Sequence, residues 1–405
     1  MSYDFSFDDV EFLRSAAGTE ALTQAAGLVL TPASLLQEMP TLRANYGDRA
    51  AAVVETVLVR RRAGVKLEHA DRILATDAAL QQATATVVAR HRAADIAARH
   101  PGAVVHDVTC SIGSELLALT GNPGIGGVIG SDIDPIRLSM ADHNLSVSAG
   151  VPRVLLRGDA LTPTSTADVV LADPARRNAR GRTFRFDELV PPLPDLLAAY
   201  EGRSLVVKCA PGLDYDLLRE RFGFEGQVQV VSLDGGVREA CLWSRVDGPQ
   251  RRATVLRGEG GFESGSFEIT SDDPDDIDEP GIGEWIVDPD GAVVRAGLVR
   301  HYARRHGLRQ LDPQIAYLTG DSVPAGERGF RVIDQLGVTE KVLRAALAAH
   351  DCGSLEILVR GLNVDPDQLR KRLKLKGTKP LSLVMTRIGR AGTAFLCEPG
   401  LRFPH

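Results

Sequence analysis

The chain has 405 residues, 44% of them apolar, with 47 Lys and Arg against 53 Asp and Glu and a formal net charge of −6; that length exceeds what one core organises and predicts two or three domains. Five cysteines at scattered positions exclude a disulfide framework, and neither they nor the nine histidines show metal-ligand spacing, so no metal is expected. No apolar run approaches the roughly eighteen residues of a membrane span, and the acidic start Asp4, Asp8, Asp9, Glu11 is the wrong flank for a signal peptide, so a soluble, cytoplasmic protein without a membrane partner is expected.

Residues 1–76 carry helical signals. Phe12, Leu13, Leu22, Ala25 and Ala26 recur at helical spacing, Thr31-Pro32 reads as a helix start, and Val53, Val54, Val57 and Leu58 share one face of a helix from Ala50. From Asp77 one long helix is predicted to reach Arg99 and to feed a strand, Ala103 to Asp107. A tight turn of small residues follows, then a helix from about Ser114 to Leu119, a second strand from Val128 to Asp132, and a helix opened by Asp134-Pro135. A third strand, Arg153 to Leu156, leads into Gly158-Asp159-Ala160, and a fourth, Ala167 to Ala172, into Asp173-Pro174. Strands at Ser204 to Cys209, Val228 to Leu233 and Glu239 to Trp243 complete a mostly parallel α/β sheet of Rossmann-like type over 77–248, the last two as an antiparallel hairpin.

The stretch 249–282 contains Asp272, Asp273, Asp275, Asp276, Asp278 and Glu279 bracketed by prolines, which reads as an acidic linker or loop. Residues 283–405 read as an α+β domain. Its predicted elements are a strand at Gly283 to Pro289, a helix from Val293 to His306, strands at Leu355 to Val359, Leu381 to Ile388 and Ala394 to Cys397, and a helix opened by Asp365-Pro366 that runs through Lys376. From 291 to 405 there are 19 Lys and Arg against 10 Asp and Glu, a net of +9 that suits a polyanionic partner.

The stretch from strand to turn to helix, with an acid at the end of the next strand about twenty residues on, is the layout of an α/β nucleotide site. Asp107, Gly113 and Asp132 stand in that register, with Asp132 suited to the two hydroxyls of a ribose and Asp159 to an adenine amine. A pyrophosphate favours the full G-x-G-x-x-G fingerprint; serines at 111 and 114 point instead to a nucleoside cofactor without one.

The run Asp107-x-x-Cys110-Ser111-x-Gly113 resembles the D-x-x-C-G-x-G motif of class I methyltransferases related to RNA base methylases. A more extensive resemblance is to bacterial methyltransferases that end in a THUMP-like domain. It is carried by Gln81-Gln82-Ala83-Thr84, Arg90-His91-Arg92-Ala93, Asp173-Pro174-Ala175-Arg176-Arg177, Lys208-Cys209-Ala210-Pro211-Gly212-Leu213-Asp214-Tyr215, Arg238-Glu239-Ala240 and Arg370-Lys371-Arg372-Leu373-Lys374-Leu375-Lys376. The resemblance implies S-adenosylmethionine as cofactor, contacted by Gln82, Asp107, Thr109, Cys110, Ser111, Gly113, Asp132, Ile133, Asp159 and Ala160. It implies a catalytic set of Asp173, Pro174, Arg176, Lys208 and Glu239, and a base of tRNA or rRNA as substrate. RNA contacts would fall to Arg177, Arg180 and Arg182 beside the site and to Arg370, Lys371, Arg372, Lys374 and Lys376 near the end. Ser111 and Ser114 depart from the family's glycines.

Two chemistries stay open. Amino methyltransferases hold an exocyclic amine at a strand-end acid followed by proline and an aromatic; here Ala175-Arg176 follows, so Phe184, Phe186 or Tyr215 would have to supply the stacking face. Uracil carbon-5 methylases use a cysteine after the fifth strand, and Cys209 stands there, with a small buried core residue as the plain alternative. A small-molecule or protein acceptor, and a non-catalytic RNA-binding protein with a relic pocket, are the rival functions.

Overall fold

The computed structural model describes residues 3–146, 150–175, 185–212, 214–258, 265–278 and 281–403, with the backbone alone of 177–178 and 181–182. The chain divides into two compact units, one of Met1–Gly226 with Glu239–Val246 and one of Gln227–Arg238 with Asp247–His405.

The first unit begins with the helices α1 (Phe7–Arg14), α2 (Ala16–Ala26), α3 (Leu35–Tyr46) and α4 (Ala50–Ala63). The Ser6 side chain accepts the Asp9 N–H while the Asp9 carboxylate accepts the Ser6 N–H, a reciprocal cap that fixes the start of α1. Asp9 also pairs with Arg49 at 2.9 Å, next to the start of α4. Val10, Leu13, Leu22, Val53 and Val57 are buried in one core that Ile112 and Met140 join, so these helices pack on the sheet-bearing part of their own unit.

Next come α5 (Asp77–Gln82), α6 (Thr86–Arg99), β1 (Val104–Asp107), α7 (Ser114–Thr120), β2 (Gly127–Asp132), α8 (Pro135–Ser146), β3 (Arg153–Arg157) and β4 (Val169–Ala172). A small ladder of β5 (Arg177–Asn178) and β6 (Gly181–Arg182) precedes α9 (Leu193–Ala199), β7 (Ser204–Cys209) and α10 (Tyr215–Phe222). After β8 (Gln227–Leu233), which belongs to the other unit, β9 (Gly236–Trp243) re-enters at Glu239. The strand order is β3-β2-β1-β4-β7-β9, parallel except for β9 against β7. All four residues of β4 are buried, as a strand covered on both faces requires. The chain winds outward from β1 through β2 to β3 and then returns to β4 on the other flank. That reversal leaves a crevice at the carboxyl ends of β1 and β4, where ligands bind in open α/β sheets.

The long helix predicted over 77–99 is instead two, interrupted at Ala83-Thr84-Ala85, where Ala83 and Ala85 are extended. No Gly or Pro forces that break. Ala83 and Thr84 are buried, and the Thr84 hydroxyl accepts a hydrogen bond from Lys208, so a tertiary contact overrides helix propensity.

In the second unit β10 (Arg251–Leu256) runs parallel to β8 and antiparallel to β11 (Phe267–Thr270). The predicted linker thus contains two strands. Three of its acids are paired as well: Asp273 with Arg305 at 3.4 Å, Asp275 with Arg300 at 3.6 Å and Asp276 with Arg304 at 3.1 Å; Glu279 and Pro280 lie outside the described residues. There follow β12 (Trp285–Val287), α11 (Gly291–Arg295), α12 (Val299–Arg305), β13 (Arg309–Asp312), β14 (Ile315–Gly320), β15 (Arg328–Gly337), α13 (Glu340–Ala349), β16 (Cys352–Val359), α14 (Pro366–Leu373), β17 (Lys379–Ile388), β18 (Ala391–Cys397) and β19 (Leu401–Arg402). Seven of these strands run in the order β13-β14-β12-β15-β18-β17-β16, with β19 beside β15, and only β16 and β17 pair in parallel. The helix expected from Val293 to His306 is broken at Gly297, whose φ of +71° ends α11. The basic helix stops at Leu373, with Lys374 left-handed at φ +51°, rather than continuing to Lys376. No helix among the described residues is long and apolar enough to cross a membrane.

Candidate active site

The carboxyl ends of β1, β2, β4 and β7 open on a cavity of about 480 Å³. The turn after β1 forms its floor. The Asp107 carboxylate accepts the Thr109 N–H at 3.0 Å, the Cys110 N–H donates to the Ser131 carbonyl at 2.9 Å, and the Ser111 N–H donates to Asp132 at 2.9 Å. Gly113 caps α7 at φ +81°, and a Cβ there would meet the Ala141 Cβ at 3.4 Å. Ser111 is also left-handed, at φ +49°, a conformation that costs a side-chain-bearing residue about 1–3 kcal/mol.

Asp132 ends β2 with one oxygen on the Ser111 N–H and the other on the Asp134 N–H, each at 2.9 Å. A carboxylate oxygen has two lone pairs, so each retains one that can accept a ribose hydroxyl. Ile133 beside it is 66% exposed and offers an apolar face. Asp159 accepts the Leu161 N–H at 2.9 Å and also lines the cavity with Ala160. Gln82, Asp107, Thr109, Cys110, Ser111, Asp132, Ile133, Asp159 and Ala160 therefore border one cavity, while Gly113 shapes the turn without lining it. Arg137 also lines it and is engaged by Asp134 at 3.3 Å. These residues fit a nucleoside with an apolar base pocket and a diol acceptor better than a diphosphate.

At the far side Asp173 follows β4. Its N–H donates to the Thr109 hydroxyl at 2.6 Å, and its Oδ2 accepts the Lys208 ammonium at 2.6 Å. Lys208 also donates to the Thr84 hydroxyl at 2.5 Å and lies 3.3 Å from Glu115. Glu115 accepts Arg92 at 2.6 Å, and the second branch of the Arg92 guanidinium pairs with Glu239. Arg92, Glu115, Lys208 and Glu239 are each no more than 5% exposed. Burial alone would discharge Lys208, but Asp173 and Glu115 hold its pKa above the ordinary lysine value. Burial would likewise raise Glu115, yet Arg92 and Lys208 bring it down to about 2. Among the described residues Asp107 has no such direct ion pair, and burial pushes it up to about 8.

Of the other expected catalytic residues, Pro174 is buried behind the cavity wall and Glu239 is connected to the cavity through Arg92 and Glu115 rather than lining it. Arg176 and Arg180 lie outside the described residues, as does Phe184; of Arg177 and Arg182 only the backbone is described, in the β5–β6 ladder. Phe186 is buried with its ring edge-on to Phe222 at 6.2 Å, and the Tyr215 hydroxyl donates to the Ala210 carbonyl at 2.8 Å, so neither presents a stacking face to the cavity. Cys209 is buried and off the cavity, as alternation along β7 demands once Lys208 faces it. In the second unit, Arg370 donates to the Leu355 carbonyl and pairs with Asp367, and Arg372 pairs with Glu340, whereas Lys371, Lys374 and Lys376 are exposed and carry no ion pair among the described residues.

Thr84, Arg92 and Glu115 escaped assignment to the site from sequence. A signal for Arg92 was present: it falls on the helical stripe Val88, Ala89, Ala93, Ile96, where an arginine is out of place unless it meets buried acids.

Across 371 residues, covering 88% of this chain and 99% of the relative, the sequence is 52% identical to an uncharacterised S-adenosylmethionine-dependent methyltransferase of Mycobacterium tuberculosis, with the same figures for its counterpart in a second strain. A protein of Porphyromonas gingivalis, crystallised as a methyltransferase candidate, shares the fold over 98% of this chain and 99% of its own, with a TM-score of 0.74 at 20% identity. Residues 327–399 match the THUMP domain-like family, and residues 6–63 match a domain family of unknown function. With half of the aligned residues identical over nearly the full length of the relative, the chain belongs to the S-adenosylmethionine-dependent methyltransferases that carry a carboxyl-terminal THUMP-like domain.

Proposed function

We propose that the protein methylates a base in tRNA or rRNA, in the cytoplasm, with the acceptor held at Asp173, since Pro174 is buried off the cavity. The observation that carries this reading is the single cavity that runs from Asp132 to Asp173 past the small-residue turn, so that a nucleoside cofactor and a second molecule would meet at the strand ends. Bound S-adenosylmethionine supplies an electrophilic methyl group on a positively charged sulfur. Asp132 would take the ribose hydroxyls, with Ile133, Asp159 and Ala160 around the base. Among the described residues Asp173 Oδ1 has no partner and would orient the acceptor, while Lys208 fixes Oδ2. In-line alignment supplies most of the acceleration in such a transfer.

RNA as the acceptor is supported by the THUMP-like segment, by the basic surplus of the last 115 residues and by the exposed Lys371, Lys374 and Lys376. The five arginines between 176 and 185 suit phosphate contacts beside the site. In this reading residues 77–248 form the catalytic domain, 1–76 its helical support and 283–405 the RNA-binding domain. The test is transfer of tritiated methyl from S-adenosylmethionine into total RNA of a strain lacking the gene, by the wild-type protein and by Asp173→Ala. The reading expects Asp173-dependent label in a nucleoside, suppressed by rising salt. Label confined to a protein or small-molecule fraction would contradict the RNA substrate.

A further inference from the structure

The Lys208 ammonium has three N–H donors and faces three acceptors: Asp173 Oδ2 at 2.6 Å, Thr84 Oγ1 at 2.5 Å and Glu115 Oε1 at 3.3 Å. It is saturated. No donor is left for a substrate, and a protonated amine so held cannot serve as a base. Behind it the charges alternate in sign, from Asp173 to Lys208, Glu115, Arg92 and Glu239. Among the described residues, three carboxylates and two cations leave one negative charge uncompensated. Four of the five side chains are 3–6% exposed and neutralise one another, whereas the Asp173 side chain, at the cavity end, is 30% exposed.

We propose that this five-residue chain of alternating charge presents one fixed negative charge at Asp173 to the sulfonium of the bound cofactor, with Glu115 and Arg92 as positioning residues that act through Lys208. The inference rests on the reading of the cavity as the methyl-transfer site. A preorganised charge of this kind costs no reorganisation when positive charge moves from sulfur toward the acceptor during transfer. It also distinguishes the two forms of the cofactor, because S-adenosylmethionine carries the sulfonium charge and its demethylated product, S-adenosylhomocysteine, is an uncharged thioether. Loss of the methyl group removes the attraction and favours release of the product. Asp132 and Arg137, at the opposite end, act on both forms alike.

The test is calorimetric titration of the full chain with S-adenosylmethionine and with S-adenosylhomocysteine, which needs no acceptor. Glu115→Gln makes the chain of charges neutral overall and should weaken S-adenosylmethionine about tenfold while moving S-adenosylhomocysteine less than about threefold. Asp173→Asn, at the exposed end where folding is least at risk, removes the same charge and should give the same selective loss. A purely structural role would move both ligands together, so parallel weakening, or no change in either variant, overturns the proposal. Failure of the wild-type protein to bind either ligand would overturn the cavity assignment itself, and the proposal with it.

Discussion

Each unit buries a cluster of charges, and the two clusters differ in how they end. In the second unit Arg257 pairs with Glu327 at 2.8 Å, both side chains at most 10% exposed, and burial pushes Glu327 up to about 7, with Arg257 offsetting only part of that. Neither residue lines the cavity described above, and the acid is close to taking a proton. In the first unit Glu115 is held down to about 2 between two cations, and the series of charges reaches a cavity with an acid to spare. Burial of charge by itself therefore does not mark a site. What marks one is a series that stays ionised, has an unequal count of signs and terminates on open space.

The largest effect expected from this contrast is catalytic. Asp173→Ala should lower methyl transfer at least about a thousandfold in single-turnover assays if, as proposed, Asp173 orients the acceptor. The next is on stability. Arg92→Ala leaves Glu239 without its cation and Glu115 with Lys208 alone, and should cost about 3–5 kcal/mol in urea unfolding. Arg257→Ala should cost less, about 1–3 kcal/mol, since Glu327 can take up a proton; equal losses would erase the distinction drawn between the clusters.

Opposite pH dependences sharpen it further. The folded-state pKa of Glu115 lies below its ordinary value of 4.5, so its contribution to stability is present above that pH and is lost as pH falls toward 2. The folded-state pKa of Glu327 lies above 4.5, so its contribution is present below that pH and is lost as pH rises through about 7. Unfolding curves across pH should therefore fall less steeply below about pH 4.5 in Glu115→Gln and flatten between about pH 5 and 7 in Glu327→Gln. The smallest effect concerns the cofactor turn. Ser111→Gly relieves a left-handed serine but adds freedom to the unfolded chain, so a net stabilisation of at most about 1 kcal/mol is expected by thermal melting.

What could be read from sequence was local. The strand ends at Asp107, Asp132 and Asp173 and the turn through Ser111 and Gly113 lie within contiguous stretches whose apolar runs and small residues fix them. The charge cluster draws on positions 84, 92, 115, 173, 208 and 239, which only the folded sheet brings together. The interruption of the 77–99 helix was equally hidden, because nothing in Ala83-Thr84-Ala85 breaks a helix until Thr84 meets Lys208. In the second unit the density of acids between 272 and 278 has the composition of a linker although β10 and β11 precede it, and the arginines that pair with three of those acids lie some thirty residues later. Gly297 could have been taken as the break between α11 and α12.

The most direct test of the account is a calorimetric titration with S-adenosylmethionine of the wild-type protein, Asp132→Ala and Asp173→Ala side by side. Two ends of one cavity with separate tasks predict that Asp132→Ala weakens binding at least about a hundredfold while Asp173→Ala stays within about tenfold of wild type. Equal losses in the two variants, or tight binding that survives Asp132→Ala, would contradict it.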